Sequence, residues 1–328
     1  MIRFEVDAAD LLHSRFALSP VFELESLLRV LGHLGRSRAL PERVTRMRAP
    51  YARLRRENPA FAALDALQHP YGGPAFVVPP PTRGMAQTIE DDLAAVRSVP
   101  LEVARAEIDR TLARHPGAEP AALAILRAPD VTDRVADALG QAWDLLLAAD
   151  WLELRAICER DIVHRSGLLA RQGWASALEG LHTRVRWRDG GIEIAPMKTD
   201  ATVRIGGHGV MFIPSVFVWP KIAVQMDDPW PACLIYPARG VGTWWNAAAA
   251  PASPALGELI GRTRARILVE LGEPASTTQL ARSLGMPVGS AGDHLRALRR
   301  AGLLDTARDG RSVLYRRTAL GDMLAGAS

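Results

Sequence analysis

Residues 263–317, TRARILVELGEPASTTQLARSLGMPVGSAGDHLRALRRAGLLDTARDGRSVLYRR, restrict the fold more than any other stretch, because each break falls where an element has to stop. In Ser276-Thr277-Thr278-Gln279 a hydroxyl residue precedes an amide by three positions. Ser276 can cap the Gln279 N–H while the Gln279 side chain reaches back to the Ser276 N–H, so a helix should start there. Leu280, Ala281 and Leu284 give it a buried face, and Gly285 sits where helices commonly close in a left-handed residue. Pro287 suits the first turn of a second helix, in which Ala291, Leu295 and Leu298 recur at spacings of four and three as one apolar stripe. Gly302 ends that helix. Leu303 to Arg308 then pairs with Arg311 to Arg317 across Asp309-Gly310, a dipeptide that tolerates the positive φ angles of a tight hairpin.

Helix, short helix, turn, helix and hairpin is the order of parts in a winged helix-turn-helix, a module that reads DNA. The segments TRARILVEL, STTQLARSLGM, GSAGDHLRALRRAGLL and DGRSVLYR resemble the ArsR-type winged-helix transcriptional regulators, over about a fifth of the chain. The resemblance implies that the second helix of the motif enters the major groove, where Val288, Gly289, Ser290, Gly292, Asp293, His294 and Arg296 would face the bases. It implies a wing along the DNA backbone, with Arg308, Arg311 and Arg316 on phosphates, while Ser276, Thr277 and Thr278 meet the backbone at a helix start. It further implies a homodimer on a partly palindromic operator in double-stranded DNA, acting as a bacterial repressor. Two departures matter. The place where metal-sensing relatives carry Cys-x-Cys reads Ser276-Thr277-Thr278-Gln279, without a thiol, so no metal is expected there. Val288, Gly289 and Gly292 also lack the long polar side chains that read bases by paired hydrogen bonds, which shifts the expected weight towards DNA shape and the nearby arginines.

Charge follows the same division. Gly257 to Thr318 holds eleven arginines against six acids, leaving 29 basic and 30 acidic residues for the remainder of the 328. An excess of positive charge confined to the segment that resembles a DNA reader is what phosphate binding requires. No run approaches the roughly 18 to 20 apolar residues of a membrane span, and the first residues lack a signal pattern, so a cytoplasmic protein without membrane contact is expected. The two cysteines, Cys158 and Cys233, have neither CxxC spacing nor a disulfide framework. None of the eight histidines has a second His or Cys three or four residues away. Gly206-Gly207-His208-Gly209 lacks the Lys-Ser/Thr that completes a phosphate cradle, and no GxSxG elbow occurs. No catalytic constellation, metal or cofactor is expected.

The remaining length leaves room for a domain of more than about 200 residues before the motif. Ile2 to Val6 alternates like a strand, and Val21, Leu24, Leu27, Leu28 and Leu31 share one helical face after Pro20. Helices are expected between Met47 and Gln68 with a break at Asn58-Pro59, and then at 88–99, 101–115, 120–126, 131–149 and 151–172. After Gly180 short apolar runs separated by glycine suggest a small antiparallel sheet. Its hairpins would join 185–188 to 192–195 and 202–205 to 210–213, and further runs follow at 216–218, 222–226 and 232–236. The fold class is therefore α+β, a large N-terminal domain of helices plus a small antiparallel sheet, followed by a C-terminal winged helix-turn-helix.

The expected boundaries are 1–246 for this domain, 247–256 (AAAAPASPAL) for an Ala/Pro linker and 257–328 for the winged helix. IRFEVDAADLLHSRFALSP, DWLELRAICERDIVHRSGLLARQGW, LHTRVRW and GVMFIPSVFVWPKI resemble an uncharacterised region found fused to ArsR-type heads in some bacterial regulators. Phe212, Phe217, Trp219, Trp230, Tyr236, Trp244 and Trp245 crowd into one span. They read as a core of large side chains, as the lining of a pocket for a small apolar effector, or as a contact between domains. Two rival functions follow: a protein-docking adaptor, and a regulator whose N-terminal domain senses a small molecule.

Overall fold

The computed structural model describes residues 1–32, 42–68, 73–114, 118–195, 197, 200–218, 221–241, 244, 254–271, 275–284, 286–309 and 312–326. They fall into two compact units, Met1–Ala238 and Arg239–Ser328.

The first unit opens with β1 (Ile2–Glu5), α1 (Ala8–His13) and β2 (Arg15–Phe16). Its helical layer holds α2 (Pro20–Gly32), α3 (Glu42–Glu57), α4 (Pro59–Ala66), α5 (Ile89–Arg97), α6 (Leu101–Arg114), α7 (Pro120–Leu126) and α8 (Val131–Leu146). Asn58 caps α4 by accepting from the Phe61 N–H (3.0 Å), and Pro59 takes the first position, so the break expected at Asn58-Pro59 is a helix start with a physical cause. Thr88 and Asp91 close a reciprocal capping box on α5. At the centre lies α8, packed on α2, α3, α4, α5, α6 and α7. Small residues let so many neighbours approach: Ala136, Ala138 and Ala142 are fully buried, and a Cβ on Gly140 would stand 3.3 Å from Leu93 of α5.

The long α9 (Trp151–Leu178) is two helices meeting at a kink, and the stop expected at residue 172 falls on the break between them, the non-helical Gly173 (φ 79°). Arg165 secures the far side of the kink by donating to the carbonyls of Ala177 (3.0 Å), Glu179 (3.5 Å) and Gly180 (3.4 Å). Its Nε donates to Asp161 at 3.0 Å, and the Tyr236 hydroxyl donates to the same carboxylate oxygen at 2.7 Å. Both ionic side chains are buried, so this pair sits where a charge without its partner would be costly.

The strands β3 (Val185–Arg188), β4 (Gly191–Ile194), β5 (Ala201–Arg204), β6 (Met211–Ser215), β7 (Ala223–Gln225) and β8 (Cys233–Pro237) complete the unit. The mixed α+β class holds, but the single antiparallel sheet does not. Two four-stranded sheets form, ordered β3-β4-β1-β5 and β2-β6-β8-β7. β1 runs parallel to β5, and β2, β6 and β8 run parallel to one another. The hairpin of β3 and β4 does form, across Asp189 (φ 48°) and Gly190 (φ 70°), the conformation of a two-residue primed turn.

The second expected hairpin is absent, since β5 and β6 lie in different sheets. The glycine loop between them is held to α1 instead: the buried Asp10 carboxylate accepts from the N–H groups of Gly207 (2.6 Å) and Gly209 (3.3 Å). Residues 216–218 are not a strand, because the Glu23 carboxylate takes the Val216 and Phe217 N–H groups that a ladder would need. Ile2, Phe4, Ile192 and Ile194 from one sheet and Phe212, Leu234 and Tyr236 from the other share one apolar core.

The second unit contains α10 (Pro254–Ile260), α11 (Arg262–Glu270), β9 (Ala275–Ser276), α12 (Thr277–Ser283), α13 (Val288–Arg300), β10 (Leu304–Asp309), β11 (Ser312–Arg317) and α14 (Ala319–Gly326). The last residues of the expected linker, 254–256, begin α10, while 247–253 lie outside the described residues. Among the described residues no helix is long and apolar enough to cross a membrane.

Candidate nucleic-acid interface

The second unit is built to hold one helix with its outer face bare. Ala291, Leu295 and Leu298 of α13 are buried, and Leu295 and Leu298 join Ile267, Leu268, Leu280, Leu303 and Leu304 in a single core. Pro287 stands at the N-cap of α13 in extended conformation, one place earlier than the helix position suggested by the sequence. Gly302 (φ 73°) closes it, with the Leu303 N–H donating back to the Leu298 carbonyl at 3.0 Å.

At 100° per residue, the face opposite that core carries Gly289, Asp293, Arg296 and Arg300, all of them exposed. Val288 (50% exposed) and Ser290 flank its start, whereas Gly292 and His294 are half-buried at its margins. Asp293 and Arg296 form an ion pair with both side chains largely in water. Thr278 is exposed and Ser276 and Thr277 half-buried at the start of α12. Arg300 was not singled out from the sequence, although counting eleven residues on from Gly289 puts it on the same stripe.

The wing differs from its expected form in two ways. Asp309 is paired with Ser312, so the connection consists of residues 310 and 311 rather than Asp309-Gly310. A third strand also joins: Ser276 pairs with Leu314 and Ala275 with Tyr315, tying the start of α12 to the hairpin. β9 is only two residues long, which leaves no periodicity to read. Arg308 is paired with Val313 and Arg316 with Asp305, one in each strand of the hairpin, while Arg311 lies outside the described residues. The tail beyond the wing is the helix α14. It fits because Gly321 has no side chain: a Cβ there would lie 2.2 Å from the Leu303 carbonyl oxygen.

The aromatic residues distribute over both units. Phe212 and Tyr236 belong to the shared core of the two sheets, and Phe217, two residues past β6, is 2% exposed. Phe212 packs against Phe16 and Trp174 with ring centroids 5.6 and 5.4 Å away. Trp230 donates its indole N–H to Glu107 at 2.6 Å, and Trp244 is buried in the second unit. Trp219 and Trp245 lie outside the described residues. Among the described residues no three His, Cys, Asp or Glu side chains gather as a metal site would need.

Two family models match separate stretches of the chain. Residues 260–307 match a helix-turn-helix domain family, covering α11 to α13 and most of β10. Residues 84–242 match DUF5937, a family of unknown function. No curated protein matches the chain. Among solved structures, reduced HlyU from Vibrio cholerae N16961 is similar at 23% identity, over 26% of this chain and 92% of that one, with a TM-score of 0.21. The chain thus carries a C-terminal helix-turn-helix domain of the ArsR type, preceded by a DUF5937 domain.

Proposed function

We propose that this chain is a DNA-binding transcription regulator that represses from a partly palindromic operator, with α13 in the major groove. The observation that carries the reading is the bare face of α13 inside the segment that matches a helix-turn-helix family. In this reading Val288, Gly289, Ser290, Gly292, Asp293, His294 and Arg296 meet base edges, and Arg300 continues the same stripe. Ser276, Thr277 and Thr278 contact the DNA backbone at the start of α12, and Arg308, Arg311 and Arg316 bind phosphate from the wing. Residues 1–246 serve as the regulatory domain.

Dimerisation is part of the proposal. Leu259 (71% exposed) on α10, with Leu320 (47%) and Met323 (65%) on α14, puts apolar surface on two helices of the second unit. A two-fold pair would present two α13 helices to half-sites about 34 to 36 Å apart. An adaptor function would leave the arginine excess of this unit without a use.

The test is binding of the purified chain to a labelled duplex from its own upstream region, across a salt series and against scrambled competitor. Selective binding that weakens steeply with salt supports the regulator. Unselective or absent binding sinks it and favours the adaptor.

A further inference from the structure

The first turn of α2 is held from two sides by buried carboxylates. Glu23, 2% exposed, reaches from α2 to the end of β6, where its Oε1 accepts from the N–H groups of Val216 (2.9 Å) and Phe217 (3.0 Å). The Ser215 side chain adds a third hydrogen bond. Asp92 of α5, 1% exposed, accepts from the Val21 N–H at 2.8 Å and from the Gln87 amide at 2.7 Å. Two residues apart on one helix turn, α2 is therefore tied to α5 and to the second sheet through acids.

Among the described residues both acids accept from neutral donors, and no Lys, Arg or His forms an ion pair with either. Asp161 shows the alternative arrangement: it is equally buried, yet Arg165 lies 3.0 Å away. Burial disfavours the charged form and N–H donors favour it: at Asp10 burial is outweighed by the N–H groups of Asp7, Gly209 and Gly207, which hold the carboxyl below its ordinary value, whereas at Glu23 and Asp92 burial wins. Burial pushes Glu23 up to about 7 against its three hydrogen-bond donors, and pushes Asp92 up to about 7 against Val21 and Gln87. The surrounding charges do not reverse this. The thiol of Cys158 on α9 interacts with Glu23 and also with Asp161, Glu159 and Arg160. Asp91 raises Asp92 further and is itself bound by Arg83 at 3.0 Å. On α2 itself, Arg29 is engaged by Glu25.

We propose that Glu23 and Asp92 form a proton-sensitive clamp at the start of α2, closed while the two acids are protonated and loosened when they are charged. The clamp lies wholly within the first unit and stands whether or not the second unit binds DNA. Because both folded values lie above the ordinary 4.5 and 3.8, the folded chain holds protons that the unfolded chain has released. The stability these acids contribute is complete below about pH 4 and is lost as the pH rises through about 7. Each acid can raise the unfolding constant by up to about tenfold per pH unit across that window.

Urea unfolding of the full chain between about pH 5 and 8 tests the clamp, with Glu23→Gln and Asp92→Asn beside the wild type. Glutamine keeps an oxygen for the Val216 and Phe217 N–H groups but cannot ionise. The expected result is a wild-type midpoint that falls with pH and a flatter profile in each variant; profiles parallel to the wild type overturn the proposal. Since either variant can fail to fold, carbon-13 titration of the Glu23 and Asp92 carboxyls in the wild-type chain provides an independent readout. Midpoints near about 7 support the clamp, and midpoints near about 4 overturn it.

Discussion

Gly289 and Gly292 carry a cost that the fold does not explain, and replacing them separates folding from function. Neither has a positive φ. A Cβ on Gly289 meets nothing within 4 Å, and one on Gly292 meets only Thr277 Cγ2, at an ordinary 3.8 Å. Glycine inside a helix costs about 0.8 to 1.0 kcal/mol relative to alanine, less in the first turn where Gly289 sits, so the pair lowers stability by about 1.5 kcal/mol. For a domain of under 100 residues that is a shift of roughly 6 to 12 °C in Tm. Gly289→Ala/Gly292→Ala should therefore raise the melting temperature of the second unit by that amount in calorimetry of the full chain. Hydrogen exchange of the α13 amides identifies the transition. Duplex affinity should move the other way, because an added methyl holds the helix backbone off the groove that bare glycine lets it approach. A loss of about tenfold, or about 1.4 kcal/mol, is expected against the wild type on the same upstream duplex. An unchanged or lowered Tm would refute the claim that these glycines are free of packing duty. A raised Tm with undiminished affinity would refute the close approach.

Four further outcomes are expected. Arg165→Met should destabilise the first unit by about 3 to 5 kcal/mol in urea unfolding, because Asp161 would be left buried without its cation, and Asp161→Asn in the same chain should recover part of the loss. Gly209→Ala should be far worse than Gly206→Ala: both have positive φ, but only at 209 does the new Cβ come within 2.4 Å of the His13 backbone, for an expected cost above about 3 kcal/mol against about 1. Arg311→Ala should weaken binding to all sequences about equally and reduce the slope of log K against log salt by about 0.9, and an unchanged slope would remove Arg311 from the phosphate contacts. Asp293→Ala releases Arg296 from an exposed ion pair at little cost in stability, and should raise non-specific duplex affinity while reducing discrimination among sequences, both read from competition titrations.

Legibility differed between the two units for a physical reason. In the second unit the decisive contacts are local. The stripe of Ala291, Leu295 and Leu298, the break at Pro287 and the closure at Gly302 are all set by residues within a few positions of one another, and they appear within one position of where the sequence put them. Even there the non-local parts escaped. β9 forms because two residues pair with a strand almost forty positions later, and α14 docks because Gly321 leaves space against Leu303.

In the first unit the sequence supplied most helices, since Pro59, Thr88 and Pro120 start them by local chemistry. It failed on the sheets for want of long-range information. β1 and β2 lie at the beginning of the chain but pair with strands about two hundred residues on, and alternation in a strand does not name its partner. What arranges those partners is a small set of buried acids. Asp10 turns the glycine loop towards α1 so that β5 and β6 separate into two sheets, and Glu23 ends β6 by taking the next two N–H groups. In sequence both are unremarkable acids beside apolar neighbours, because an acid shows its structural role only through donors brought to it from far along the chain. Glu23 and Asp92 differ from Asp10 in which effect wins: burial outweighs their neutral donors, so each holds a charge at the expense of the contacts it makes, whereas at Asp10 the backbone N–H groups outweigh burial and keep the carboxyl below its ordinary value.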